Sequence, residues 1–248
     1  MLVMTVLVAG SWGGSGPGDE IDRLIRESGA EVGIAFETLD GKFSFFRDEE
    51  VVFHAASTMK VPVMIELFRQ AEQGRLKLED SLPVVNEFRS IVDGSPYKKE
   101  IEEDSDTDIY DAIGEDRTLR QLCEVMITVS SNLATNLLIE KLGVENIRKT
   151  VEELGGQGMR VLRGVEDGKA YRQGLSNSTT AHGFFVLLNR IARGEAAGKE
   201  SCSEMVGILK RQQFNEGIPS GLPEGTPVGH KTGQITRIHH DGGIVYAQ

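Results

Sequence analysis

Ser57 and Lys60 stand three residues apart in Ala56-Ser57-Thr58-Met59-Lys60. On a helix that spacing puts both on one side, with the amine within reach of the hydroxyl. A serine hydroxyl becomes a useful nucleophile only when a neighbour takes its proton. A lysine does this when burial beside other cations lowers its pKa. The first turn of a helix also leaves backbone N–H groups free to hold a developing oxyanion. The competing reading is a capping serine beside a surface lysine, and the short motif alone does not choose between them.

Two further groupings carry polar chemistry. Ser130-Ser131-Asn132 falls at a joint between two predicted helices. Such a triplet caps helices, or it supplies a proton-shuttling hydroxyl and an amide for a substrate carbonyl. Lys231-Thr232-Gly233 lies on a predicted strand. Its lysine and threonine suit a substrate carboxylate, and its glycine lets a ligand approach the backbone. The strand edge suits an amide-bearing substrate. His54, just before the serine, is taken as structural. A metal site at His239, His240 and Asp241 is disfavoured, because adjacent histidines on a strand point to opposite faces and rarely share a metal. No metal or other cofactor is expected, and no histidine sits in a recognisable frame for a Ser-His-Asp triad.

The elements that must position these groups follow from periodicity. Asp19 caps a short amphipathic helix that carries Ile21, Leu24 and Ile25 and ends near Gly29. Val32, Ile34 and Phe36 alternate, as do Phe43 and Phe45, around the turn Asp40-Gly41, which predicts a hairpin. A third short strand covers Val51 to Phe53. The Ser57 helix runs to about Gln73 and buries Val61, Met64, Ile65 and Phe68. From Leu82 to Asp116 the period weakens, and the acidic run Glu100, Glu102, Glu103, Asp104, Asp106, Asp108, Asp111 reads as a solvated loop or lobe edge. Helices are predicted over Leu119–Thr128, from Asn132 through Leu138, over Val144–Leu154, Thr179–Ile191 and Glu200–Gln212. Residues 157–177 read as a long loop. Two strands close the chain, joined around His239 to Asp241. Strands from both chain ends with helices between predict an α/β (α+β) fold: an antiparallel sheet flanked by helices, with an inserted all-helical lobe.

The whole chain narrows the possibilities. Its 248 residues suit one large domain, with a sheet lobe over 19–56 and 213–248 and a helical lobe over 57–212. The net charge of −11 argues against a nucleic-acid partner. No stretch is long enough to span a membrane. Cys123 and Cys202 fall on apolar helix faces and read as buried free thiols. Met1–Ala9 is apolar and precedes a glycine-rich stretch, so residues 1–18 read as a remnant signal peptide or linker. No Lys or Arg occurs before Arg23 to complete a charged leader.

Taken together and in this order, Ser57-x-x-Lys60, Ser130-x-Asn132 and Lys231-Thr232-Gly233 resemble the motif set of class A β-lactamases and penicillin-binding proteins. Phe53 to Lys60 looks like that superfamily's nucleophile segment, and Met126 to Leu138 is similar to its second motif. The resemblance implies a serine acyl-transfer enzyme acting on a β-lactam or a peptidoglycan-like molecule. Ser57 would attack the strained amide, Lys60 would help activate it, and Ser130 would pass a proton to the departing nitrogen. Asn132 would hold a side-chain amide, Lys231 and Thr232 a carboxylate, and the N–H groups of Ser57 and Gln234 the oxyanion. It further implies a monomer that is periplasmic or secreted.

Hydrolysis of the ester needs a base, and Glu166 in Arg163-Gly164-Val165-Glu166-Asp167 falls at the matching place, with Asp167 its rival. A bland alternative pairs Glu166 with Arg163. The chain departs from the family pattern in three places within its motifs: Ala170 stands where the pattern has Asn, Ser131 where it has Asp, and Gln234-Ile235-Thr236 where small residues are usual. The family's further strand and terminal helix are expected to be absent after Gln248. The principal reading is a β-lactamase. The alternatives are a penicillin-binding-like D-alanyl-D-alanine peptidase or esterase that deacylates slowly, and a non-catalytic binding module on the same fold.

Overall fold

The computed structural model describes residues 17–247, and the leader expected over Met1–Ala9 lies outside them. Helix α1 (Pro17–Ser28) carries Asp19 and Glu20 in its first turn and stops at Gly29, whose φ is +63°. The hairpin β1 (Ile34–Glu37) and β2 (Ser44–Arg47) turns around Asp40-Gly41. Strand β3 (Phe53–His54) leads into a tight 3-10 turn, Ala56–Met59, and then α2 (Lys60–Glu72). Short elements follow: β4 (Ser81–Pro83), β5 (Phe88–Arg89), β6 (Pro96–Tyr97), α3 (Asp108–Asp111) and β7 (Asp116–Thr118). Then come α4 (Leu119–Thr128), α5 (Asn132–Leu142), α6 (Val144–Glu153), α7 (Gly168–Arg172), β8 (Ser178–Thr179), α8 (Ala181–Ala192) and α9 (Lys199–Leu209). The hairpin β9 (Val228–Ile235) and β10 (Ile238–Val245) completes the described chain.

Helix α2 is the centre of the molecule. Helices α4, α5, α6, α8 and α9 all pack on it, so every residue from Lys60 to Phe68 is buried. The sequence predicted one buried stripe. A helix enclosed on all sides buries its whole circumference, which brings Val63 and Leu67 into the core as well. Glu66 is enclosed with them. Its carboxylate accepts from Gln70 Nε2 at 2.6 Å and Thr150 Oγ1 at 2.5 Å, and Arg75 lies 3.3 Å away, which removes the penalty of a buried unpaired charge.

Strand β3 pairs with β8, and strands from the two chain ends form two of the five antiparallel ladders among the described residues, β1–β2 and β9–β10. Both rest on α8, and an apolar cleft of about 250 Å³, floored by Phe184, Phe185 and Leu188, lies between β1 and β10. The last hairpin turns at Thr236-Arg237, with Arg237 at φ +64°. His239, His240 and Asp241 therefore lie within β10 and not at the turn, as the sequence had suggested. Both cysteines are buried and free.

Residues 82–116 depart from the solvated loop expected of them. β4 pairs with β7 and β5 with β6, and Asp104 and Asp106 are buried. An acidic composition signals water only where no donor set is available to receive the carboxylates, and here one is.

One close approach fixes how α8 meets the segment before the long loop. A Cβ on Gly183 would lie 2.6 Å from Gly158 Cα and 2.6 Å from Met159 N. Backbone stands against backbone there, so no side chain can yield. Gly183→Ala is expected to destabilise the fold by about 1–3 kcal/mol, read as a lowered denaturation midpoint with unchanged slope.

Candidate active site

The 3-10 turn before α2 presents Ser57 to a cavity of about 600 Å³, lined also by Ser105, Ser130, Phe214, Thr232 and Gln234. The turn is held from below. His54 Nδ1 accepts the N–H of Ala56 at 3.0 Å, and the His54 carbonyl accepts from His240 Nε2 at 2.8 Å. Burial, with Arg163 nearby, lowers the pKa of His54 and keeps its ring neutral. His54 is thus a structural acceptor. Ala56 sits at φ +46°, Ser130 at +61° and Glu166 at +61°. Such non-glycine outliers cost free energy and persist where the surroundings over-determine them.

Lys60 opens α2 and points inward. Its ammonium donates to the Ser130 carbonyl at 2.6 Å, Ser130 Oγ at 3.0 Å and Asn132 Oδ1 at 2.8 Å. The spacing in the sequence aimed this amine at Ser57; the structure turns it across to the α4–α5 joint, where three acceptors converge. The Ser57 hydroxyl has no hydrogen-bond partner among the described residues and faces the cavity. Burial, reinforced by the charge of Lys231, drives the Lys60 pKa well below the ordinary lysine range. Asp104 and Glu166 pull it back up, while Lys99 adds to the lowering.

Lys231 approaches the same hydroxyl from the other side. Its ammonium donates to Ser130 Oγ at 3.1 Å and to the Thr232 carbonyl at 2.9 Å. Burial lowers its pKa to about 7, against the attraction of Asp241. One hydroxyl is therefore shared by two buried ammonium groups. Asp241 itself is paired with His230, whose Nδ1 lies 2.9 Å from Asp241 Oδ1, and it accepts the Ile218 N–H at 2.8 Å. No cluster of metal-ligating residues exists among the described residues.

Gly233 is where the closing strand touches the Ser57 turn. A Cβ there would lie 3.1 Å from the Ser57 and Thr58 backbone nitrogens. The missing side chain lets β9 pass directly over the Ser57 N–H, with Gln234 the next residue along.

Glu166 joins the network through Asn132. Its Oε1 accepts from Asn132 Nδ2 at 2.9 Å, and its Oε2 pairs with Lys99. The Glu166–Arg163 pair weighed from the sequence does not form. Arg163 instead donates to the Leu175 and Gly164 carbonyls, both at 2.8 Å. Asp167, the rival base, is fully engaged elsewhere: it accepts from Ser90 Oγ, the Ile91 N–H and the Ala170 N–H. Those bonds make it the cap of α7 and a staple between the long loop and β5. Ala170 is fully buried and offers no polar group.

Several positioning residues carried no signal in the sequence. Asn136 clamps the loop at Val165, accepting its N–H at 2.7 Å and donating to its carbonyl at 3.1 Å. Asn177 accepts the N–H groups of Leu162 and Arg163. Asp104, within the acidic run, accepts the N–H groups of Asn132 and Leu133, each at 2.9 Å, and the Tyr110 hydroxyl at 3.0 Å. It supplies the carboxylate at the start of α5 that Ser131 does not. Ser131 keeps a smaller role, accepting the Ala134 N–H at 3.3 Å.

The comparisons bear on this geometry. A model of the beta-lactamase enzyme family matches residues 17–248. The chain is 28% identical over 188 residues to a beta-lactamase of Rhodobacter capsulatus, which covers 73% of this chain and 60% of that protein. The chain thus spans less than two thirds of that relative. Among solved structures, PBP-A superposes with a TM-score of 0.74 at 26% identity, over 92% of this chain and 82% of that one. A beta-lactamase from Sphaerobacter thermophilus gives 0.71 at 25% identity, over 90% and 79%. An ancestral class A beta-lactamase gives 0.78 at 24% identity, over 92% and 85%, a likeness of fold.

The Asp104 bonds generate a direct test. Asp104→Ala removes a charged acceptor from four donors at once: the N–H groups of Asp106, Asn132 and Leu133 and the Tyr110 hydroxyl. A loss of about 1–3 kcal/mol of stability is expected, measured by urea denaturation against the parent chain.

Proposed function

The chain belongs to the beta-lactamase enzyme family, and from that premise we propose that it opens β-lactam rings through an ester on Ser57. The observation that carries this reading is the Ser130 hydroxyl held between Lys60 and Lys231, beside a Ser57 turn that Gly233 overlies. The proposed steps give each group one role. Ser57 Oγ adds to the lactam carbonyl, and its proton passes to the Lys60 amine, which swings from its Ser130 and Asn132 partners to reach it. The N–H groups of Ser57 and Gln234 hold the oxyanion. The C–N bond breaks, and Ser130 delivers a proton to the departing nitrogen, drawing on the ammonium groups at its oxygen. Lys231 and Thr232 hold the substrate carboxylate, and Asn132 a side-chain amide.

The ester is then hydrolysed. Glu166 takes a proton from a water, the water oxygen adds to the ester carbonyl, the bond to Ser57 Oγ breaks, and that oxygen regains a proton. In this reading the enzyme works in the periplasm or outside the cell and contributes to β-lactam antibiotic resistance. No helix among the described residues is long and apolar enough to cross a membrane.

Incubation with penicillin G, followed by intact mass measurement, tests the reading. A transient adduct on Ser57 is expected, absent in Ser57→Ala and accumulating in Glu166→Gln. A stable adduct on the parent chain would favour the slowly deacylating peptidase reading, and no adduct at all would favour a binding module. The pH dependence has a definite sign. Lys231 carries its charge below about pH 7 and loses it above, whereas an ordinary lysine stays charged to about pH 10. KM for an anionic β-lactam is therefore expected to rise as pH climbs through about 7, checked by steady-state nitrocefin kinetics.

A further inference from the structure

The steps above make no use of Lys99, yet its side chain is fully buried and its ammonium pairs with Glu166 Oε2. Glu166 is the only partner that ammonium has among the described residues. The backbone that aims it is fixed: the Lys99 N–H donates to Asn86 Oδ1 at 2.8 Å, and its carbonyl accepts from Asn86 Nδ2 at 2.9 Å. An ammonium enclosed without a counter-charge is strongly unfavourable, so the pair constrains both members. Glu166 is held at both oxygens, by Asn132 at one and by Lys99 at the other. The loop behind it is pinned independently at Val165 and Asp167.

We propose that Lys99 is the positioning residue for Glu166, clamping its second carboxylate oxygen so that the first stays on Asn132 and the base is aimed for ester hydrolysis. This rests on the reading of Ser57 as the esterified residue and Glu166 as the base. The clamp stands in for the polar side chain that Ala170 lacks. It acts on the carboxylate oxygen that Asn132 does not bond, and it makes no hydrogen bond to Ser57. Its loss falls mainly on the second half of the reaction and touches the first only through its distant charge on Lys60.

The charged groups facing Lys99 are Glu166 and, further off, Asp104 and Glu103, with the Lys60 ammonium opposing. Burial outweighs the carboxylates and lowers the Lys99 pKa. As pH rises, the ammonium and the clamp are lost earlier than for an exposed lysine.

The experiment follows formation and decay of the penicillin G adduct by mass, separating the two half-reactions. Lys99→Met should leave adduct formation within about twofold and slow its decay by about tenfold to a hundredfold, the scale of a misplaced base. Lys99→Arg should retain most of the decay rate at pH 7, and the alkaline fall in decay should move to higher pH because a guanidinium keeps its proton. Asn86→Ala, which leaves the lysine in place but loosens its backbone, should slow decay by a smaller factor. Equal decay in Lys99→Met and the parent chain overturns the clamp alone. So does a parallel fall in both half-reactions with a lowered melting temperature, which marks a purely structural residue. Absence of any adduct on parental Ser57 overturns the reading beneath it.

Discussion

Lys60, Lys99 and Lys231 place three amines where almost no water reaches them, and an ammonium in that position needs partners from the protein. Each finds them across an element boundary. Lys60 reaches from α2 to the α4–α5 joint, Lys231 from β9 to the same joint, and Lys99 from the end of β6 to the long loop. The requirement to satisfy these charges decides how the central helix, the closing strand and the loop can be assembled. The same burial lowers the proton affinity of all three amines. Structural demand and chemical tuning therefore have one cause, desolvation, offset to different degrees by Asp104, Glu166 and Asp241.

The site is maintained by residues that stand behind Ser57, Asn132 and Glu166. Asp104 caps α5 and thereby fixes Asn132. Asn136 and Asp167 hold the loop and thereby fix Glu166. His240 and His54 hold the Ser57 turn from below. Each bonds backbone groups, all but His54 those of a distant segment, which sets position with few degrees of freedom. The positive φ values at Ala56, Ser130 and Glu166 fit this picture, since strained backbone survives where neighbours leave no alternative. The substitution of Ser131 within the second motif is accommodated because Asp104 brings a carboxylate to the same helix terminus from far away in the chain.

Legibility from the sequence differed sharply between kinds of residue. Ser57, Ser130 and Lys231 belong to short motifs whose internal spacing carries meaning, and the structure brings the three segments together. The helices with clear periodicity, such as α4 and α8, were readable because one face of each is apolar. The acidic run was misread as solvated, because composition reports charge and not the donors that a fold will supply. Lys99 gave no signal at all: a lysine in a mixed polar stretch looks like surface until an enclosing loop is known. The turn of the last hairpin was misplaced because Thr236-Arg237 lacks the usual glycine or asparagine, and Arg237 adopts the left-handed region regardless.

What the sequence determined on its own was the set of candidate side chains and the alternation of elements that carries them, because local spacing and periodicity are properties of neighbours along the chain. Tertiary structure alone decided which acceptors each amine meets, that Glu166 pairs with Lys99 and not with Arg163, and that Lys60 turns toward Ser130 and not toward Ser57. Those choices depend on which distant groups share a volume emptied of water. There the strength of an ion pair and the cost of an unpaired charge both grow as the local dielectric falls, and no run of letters states where that volume will be.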